Sequence, residues 1–188
     1  MKMLSTIRAA LASAALALAL PASAAFYVDD TTGGPTFTRA LVDFSDVSAV
    51  GIDVSYDVFS FSVSESGTYT VRSFAEGLLG GDPWDQFIFL YADSFDPSAP
   101  LVNGVIASDD YNGNIGVSGF DVALSTGVAY YLVTTGWSPE ESGKFLNLVR
   151  GPGEILPAIP EPDTYALLAM GLFAVAFAVR RRTQDDLV

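Results

Sequence analysis

The chain has 188 residues, with 22 acidic and 9 basic side chains, a net charge of −13, and neither histidine nor cysteine. The missing cysteine excludes disulfides and thiolate metal sites, and the missing histidine excludes Ser-His-Asp and Cys-His nucleophiles, His-ligated zinc and imidazole acid/base catalysis. A surface this acidic repels nucleic acid and attracts cations, so nucleic acid is excluded as a partner.

At the N-terminus, Lys2 and Arg8 precede an apolar stretch over residues 9–20, followed by Pro21 and the small residues Ala22, Ser23 and Ala24. Charge, apolar run and small residues in this order predict a signal peptide over 1–24, with the Sec translocon and signal peptidase as partners. Ala22 and Ala24 frame the cut, and Ala25 starts the mature chain; a cut after Ala25 would use Ser23 and Ala25 instead. An uncleaved anchor is the alternative, but the run is short and ends in a helix-breaking proline.

Residues 25–159 carry eighteen acidic side chains against four basic ones (Arg39, Arg72, Lys144 and Arg150), a net charge of −14. That length suits one domain with its own core. Strands are predicted at 36–44, 86–92, 101–107 and 144–149. Phe59, Phe61 and Val63 alternate with serines, Glu65-Ser66-Gly67 turns the chain, and Tyr69, Val71 and Ser73 alternate again, so 57–74 reads as a hairpin. A second unit repeats the pattern: Phe120, Val122 and Leu124, the turn 125–127, then 128–134. Short strands with no amphipathic helix between them predict an all-β, single antiparallel β-sandwich over 25–149, jelly-roll-like in topology.

Trp84, Phe87, Phe89, Tyr91, Tyr130 and Trp137 are read as core residues first, with Trp137 the best exception. Trp137, in Thr135-Gly136-Trp137-Ser138-Pro139, is placed by its flanking residues in a loop, where it could stack on a sugar ring. The segment most like a site is Ser108-Asp109-Asp110-Tyr111-Asn112-Gly113-Asn114. Asp110, Asn112 and Asn114, at i, i+2 and i+4 with Asp109 adjacent, have the spacing of oxygen ligands wrapped around calcium. An EF-hand needs glycine sixth and glutamate twelfth, where this chain has Ile115 and Asp121, and an Asx-rich turn uses the same residue types. Asp82, Asp85, Asp93 and Asp96 also read as turn residues, which a folded sandwich could bring near Asp109 and Asp110. The glycine-rich 77–81 lacks the lysine of a phosphate-binding loop. A two-carboxylate glycosidase remains compatible with the composition.

Residues 150–159, rich in glycine and proline, are expected to form a linker. Beyond it stand Pro160, Glu161 and Pro162, an apolar run at 166–179, then Arg180, Arg181 and Arg182. Fourteen helical residues span about 21 Å, short for a bilayer core of about 30 Å. The arginines favour a cytoplasmic C-terminus. Proline motif, apolar helix and arginine cluster together resemble the PEP-CTERM sorting signal of Gram-negative bacteria. The resemblance assigns residues 160–184 to the signal, with a transmembrane helix over 165–179 and a cytoplasmic tail over 185–188. It implies transient anchorage in the inner membrane, recognition and cleavage by an exosortase, delivery to the cell surface or extracellular space, and association with exopolysaccharide or biofilm.

The strand pattern over residues 55–135 also resembles bacterial pre-peptidase C-terminal domains, small secreted β-sandwiches whose collagen-binding relatives hold calcium. The sequence is therefore read as an exported, non-enzymatic surface or matrix protein. The alternatives are a calcium- or carbohydrate-binding module and, third, a glycosidase.

Overall fold

The computed structural model describes residues 23–75 and 82–158. Most of the expected signal peptide with Ala22, the sorting residues Pro160, Glu161, Pro162, Arg180, Arg181 and Arg182, the helix at 165–179 and the tail lie outside them. No helix among the described residues is long and apolar enough to cross a membrane.

The architecture is an all-β antiparallel sandwich. One sheet has four strands in the order β1 (Ser23–Asp30), β9 (Lys144–Gly151), β4 (Gly67–Phe74), β7 (Val117–Leu124). The other has the order β10 (Ile155–Pro157), β3 (Val54–Val63), β8 (Tyr130–Gly136), β5 (Gln86–Ala92), β6 (Gly104–Ser108), with β2 (Thr36–Phe37) pairing onto β3.

Period-two alternation generates the core. Phe59, Phe61 and Val63 point from β3 toward Tyr69 and Val71 of β4, and Ile88, Leu90 and Leu132 join them in one buried cluster with Phe120, Leu124 and Val149. Each fully buried side chain of this size contributes about 1.5–3 kcal/mol of transfer free energy. The opposite faces of β5 and β8, bearing Phe87, Phe89, Tyr91 and Val133, are covered by Phe37, Ala40 and Phe44 from the segment before β3. Phe44 meets Phe89 and Tyr91 edge-on, each at 5.7 Å between ring centroids. Strand β5 is thus buried on both faces, which explains its near-continuous apolar sequence.

The expected hairpin at 57–74 is not a hairpin. β3 pairs with β8 and β10, whereas β4 pairs with β7 and β9, so the turn between them crosses from one sheet to the other. The second unit behaves alike, with β7 and β8 in opposite sheets. Alternation requires each strand to have one inner face, and both a hairpin and an arch across the core satisfy it. The two arches nest, β3 against β8 and β4 against β7, giving the wrapped, jelly-roll-like topology. The strand expected at 36–44 is shorter, because after Phe37 the chain leaves the sheet to cover β5.

The linker expected at 150–159 is also corrected. β9 continues through Gly151, and Ile155–Pro157 pairs with Val63, Ser62 and Phe61 of β3. The glycines and prolines there serve packing: Tyr69 fills the space where a Cβ on Gly151 would stand. The Tyr69 hydroxyl donates to the Glu65 carbonyl at 2.8 Å and accepts the Gly153 N–H at 3.1 Å. Gly151→Ala should therefore displace Tyr69 and lower the unfolding free energy by about 1–3 kcal/mol, measured by urea denaturation. Gly127→Ala, at φ 78 with open space around it, should cost only about 1 kcal/mol from its left-handed backbone.

Candidate functional site

The acidic site forms where three strand ends meet. Asp85 precedes β5 in one sheet; Asp109 and Asp110 follow β6 of that sheet and lead through a single 3-10 turn, Tyr111–Gly113, toward β7 of the other. Ser118, fully buried at the start of β7, places its hydroxyl against the carbonyls of both Gln86 and Asp109 and so ties the loop to the head of β5. Beneath this junction the sandwich interior is polar: the Gln86 amide donates to the Ser73 carbonyl at 2.9 Å and the Asn147 amide to the Thr134 hydroxyl at 2.8 Å.

Asp85, Asp109 and Asp110 each bring a carboxylate oxygen within 4.8 Å of the others. The Oδ1 atoms of Asp85 and Asp109 are buried without a hydrogen-bond partner. Burial raises the Asp109 carboxyl, and Asp85 and Asp110 raise it further against the opposing pull of Arg39, to about 6. Asp85 is pushed up by burial, then by Asp110 and Glu141. Its own N–H donates to Glu141 Oε2 at 2.8 Å.

Beside the carboxylates lies a cleft of about 290 Å³ lined by Asp109, Arg39, Phe87 and Trp137 with an apolar rim including Leu41 and Val50. Arg39 is only 3% exposed, with its guanidinium 4.4 Å above the Phe87 ring. Its Nη2 donates to the Trp137 carbonyl at 2.9 Å and its Nη1 to the Ala40 carbonyl at 3.2 Å. The Trp137 N–H donates to the Asp85 carbonyl at 2.9 Å, and its ring stays 41% exposed. Arg39 and Asp85 thus hold the tryptophan loop by its backbone and leave the indole free.

Of the residues singled out in the sequence, the structure brings Asp109, Asp110 and Trp137 to one end of the sandwich. Asn112 and Asn114 stand exposed in the 3-10 turn, Asn112 at φ 57, with the Asn114 amide donating to the Tyr111 carbonyl at 3.3 Å. Ala24 is a strand residue, opposite Arg150. Of the four turn aspartates that could approach Asp109 and Asp110, the structure brings Asp85 to them; Arg39 was not singled out, and carried only the signal of being one of four bases. Trp84, Phe87, Phe89, Tyr91 and Tyr130 are all buried as expected.

The described residues thus form a small β-sandwich with an acidic cleft at one end. Residues 158–182 match the PEP-CTERM protein-sorting motif, so the domain belongs to an exported protein that carries an exosortase recognition signal with its C-terminal membrane anchor. No curated protein matches the chain. Among solved structures it is similar to the pre-peptidase C-terminal domain of a collagenase from Bacillus anthracis, at 13% identity over 68% of this chain and 89% of that one, TM-score 0.41. It is also similar to a family 35 carbohydrate-binding module from an environmental isolate, at 16% identity over 71% and 98%, TM-score 0.37. A third is the CBM35 from Cellvibrio japonicus Abf62, at 12% identity over 72% and 99%, TM-score 0.37. Likenesses this distant bear on neither ligand nor activity.

The raised Asp109 carboxyl sets a pH dependence. Because its pKa is higher folded than unfolded, the native state binds the extra proton between about 4 and about 6. In chelator, its contribution to stability is fully present below pH 4 and is lost as pH rises through 6. Asp109→Asn should flatten this part of the melting profile and match or exceed the wild-type Tm at pH 7, as read by scanning calorimetry in EDTA.

Proposed function

We propose that this exported protein is a non-enzymatic component of the cell surface or extracellular matrix, sorted by an exosortase, whose sandwich binds a divalent cation at Asp85, Asp109 and Asp110. The observation that carries the cation reading is the convergence of three carboxylates with two buried, unpartnered oxygens. Calcium is the favoured ion, because hard oxygen ligands suit it and the chain has no nitrogen or sulfur side-chain set for zinc. Bound calcium would neutralise the cluster and supply the partner that Asp85 and Asp109 lack. Asn112 and Asn114, on the adjoining turn, are the further oxygen donors of this reading. Trp137, beside the carboxylates, would offer its face to a pyranose ring of exopolysaccharide.

Calcium at one hundred times its Kd should add about 2.7 kcal/mol to stability, several degrees in Tm. The shift should be larger at pH 7 than at pH 5, because the metal competes with the Asp109 proton. Asp109→Asn should abolish it, and Trp137→Ala should keep it while lowering retention on the host's exopolysaccharide. A wild-type Tm indifferent to calcium would end the cation reading, and glycan turnover lost on one carboxylate-to-amide change would make the protein a glycosidase.

For the sorting step, the intact mass and cell fraction of the full chain are to be compared in hosts with and without the exosortase. The expected result is loss of the segment beyond the Pro160-Glu161-Pro162 motif and release from the inner membrane only when the enzyme is present. An intact C-terminus held in the inner membrane in both hosts would make the protein a tail-anchored one.

A further inference from the structure

The outer face of the four-stranded sheet is unlike the rest of this acidic molecule. Outward positions on β1, β9, β4 and β7 align in cross-strand rows: Phe26, Leu148 and Arg72 in one, and Val28, Leu146, Phe74 and Val117 in the next. Phe26 is 68% exposed and Val28 is 52% exposed. The same alternation puts Lys144 and Arg150 on this face, so it holds three of the domain's four basic residues against, among the described residues, Asp30 and Asp121. Arg72 is engaged locally, 3.3 Å from Asp121 and 4.0 Å from the Tyr111 ring, and Asp30 stands opposite Lys144, which leaves Arg150 as the unopposed outward charge of the face.

The opposite side of the sandwich has the complementary character. There the segment covering β5 turns Leu41, Val42, Val47, Val50 and Ile52 toward solvent, each at least 38% exposed. Asp43, Asp46 and Asp53 intersperse them, and the one base in that segment, Arg39, is buried. One side is therefore apolar and basic and the other apolar and acidic. Patches of this kind mark association sites, and opposed charges set which one meets which.

We propose that the outer face of the four-stranded sheet docks onto the acidic loop face of a second copy, head to tail. Because the two patches lie on opposite sides of one molecule, the contact does not close on itself and copies add into an open filament. Four strands of eight residues present about 19 Å by 26 Å, roughly 500 Å² per copy, below the ~800 Å² per partner of a standard stable interface. Association is therefore weak for one contact and favoured where export concentrates the protein. Repulsion between the overall charges of two copies is largely screened beyond the Debye length, about 8 Å in physiological salt, so the charges that matter are those in the two faces. The proposal rests on surface placement and not on a bound cation, and Leu41, Val42 and Val50 of the loop face also rim the cleft beside Asp109.

The test is sedimentation velocity on the protein as released after export, over a concentration series. Mass should rise with concentration without a fixed end point, and 0.5 M NaCl should reduce it. Phe26→Asp and Val50→Asp should each weaken self-association by roughly tenfold or more, while an equimolar mixture of the two should form a dimer through the remaining intact faces. Val28→Asp and Val42→Asp repeat the design, and circular dichroism superimposable on wild type shows that each variant is folded. A wild-type protein that stays monomeric at its solubility limit would overturn the proposal. So would a Val50→Asp variant that self-associates undiminished, the mark of a symmetric sheet-to-sheet pair, or a Phe26 face that binds only added polysaccharide or lipid vesicles.

Discussion

Tyr69 is the point through which the sandwich is held. It is fully buried between the sheets, and its hydroxyl joins the first arch, at Glu65, to the turn after β9, at Gly153. No disulfide performs this service, because the chain has no cysteine. The arch must cross the core for β3 and β4 to stand in different sheets, and a crossing turn lacks the ladder of bonds that fixes a hairpin. A buried tyrosine with a bonded hydroxyl supplies that missing constraint: the ring fills the space above Gly151 and the hydroxyl sets the turn's position. Loss of either half loosens the arch, and with it the placement of β7, which pairs with β4 along its whole length.

That pairing explains why the acidic cluster exists where it does. β7 carries Ser118 inward at the end of the sheet, and Ser118 reaches the carbonyls that follow Asp85 and belong to Asp109. Ser118 of one sheet thereby ties together two segments of the other, before β5 and after β6, with their carboxylates side by side. Repulsion among the three would favour splaying the loop, yet Arg39 lies close enough to pull Asp85 and Asp109 in the stabilising direction. Arg39 is itself buried, with its donors spent on backbone carbonyls, so its charge acts through space. The cluster is thus held in place by the fold at an electrostatic cost, and a site under such a cost is a functional candidate on physical grounds.

How much of this was legible in the sequence depended on whether a signal was local. Alternation in 59–63 and 69–73 identifies strands and their inner faces, and Gln86–Ala92 is read to the residue, because each strand writes its own burial pattern. Pairing is not written there: β3 meets β8 seventy residues away, and nothing in the Glu65-Ser66-Gly67 turn distinguishes a hairpin from an arch. β1 was hidden because Ser23 and Ala24 belong to the cleavage pattern. β10 was hidden because the composition of residues 152–157 imitates a linker, while its few apolar residues, such as Ile155, are what closes the edge. Asp109 and Asp110 stand out in an Asx-rich run, and Trp137 between loop formers. Asp85 joins them only through the three-dimensional meeting of β5, β6 and β7.

The position of β1 constrains the order of events in export. The expected cut after Ala24 falls inside a strand whose register runs from Ser23 opposite Gly151 to Asp30 opposite Lys144. A peptidase must hold the chain extended in its own cleft, and a strand already bonded to β9 offers neither its backbone nor its sides. A cut after Ala24 would therefore have to precede docking of β1; the six residues from Ala25 onward form most of the sheet edge, with Tyr27 stacking on Phe59 at 4.7 Å and donating to Asp57 at 2.7 Å. The edge next to it, β10, leads straight to the sorting motif at 158–182. The two strands nearest the two address signals are thus edge strands of the two sheets, in contact with each other, and both ends are tied into the core, because Ile155 belongs to the central buried cluster and Tyr27 packs against it.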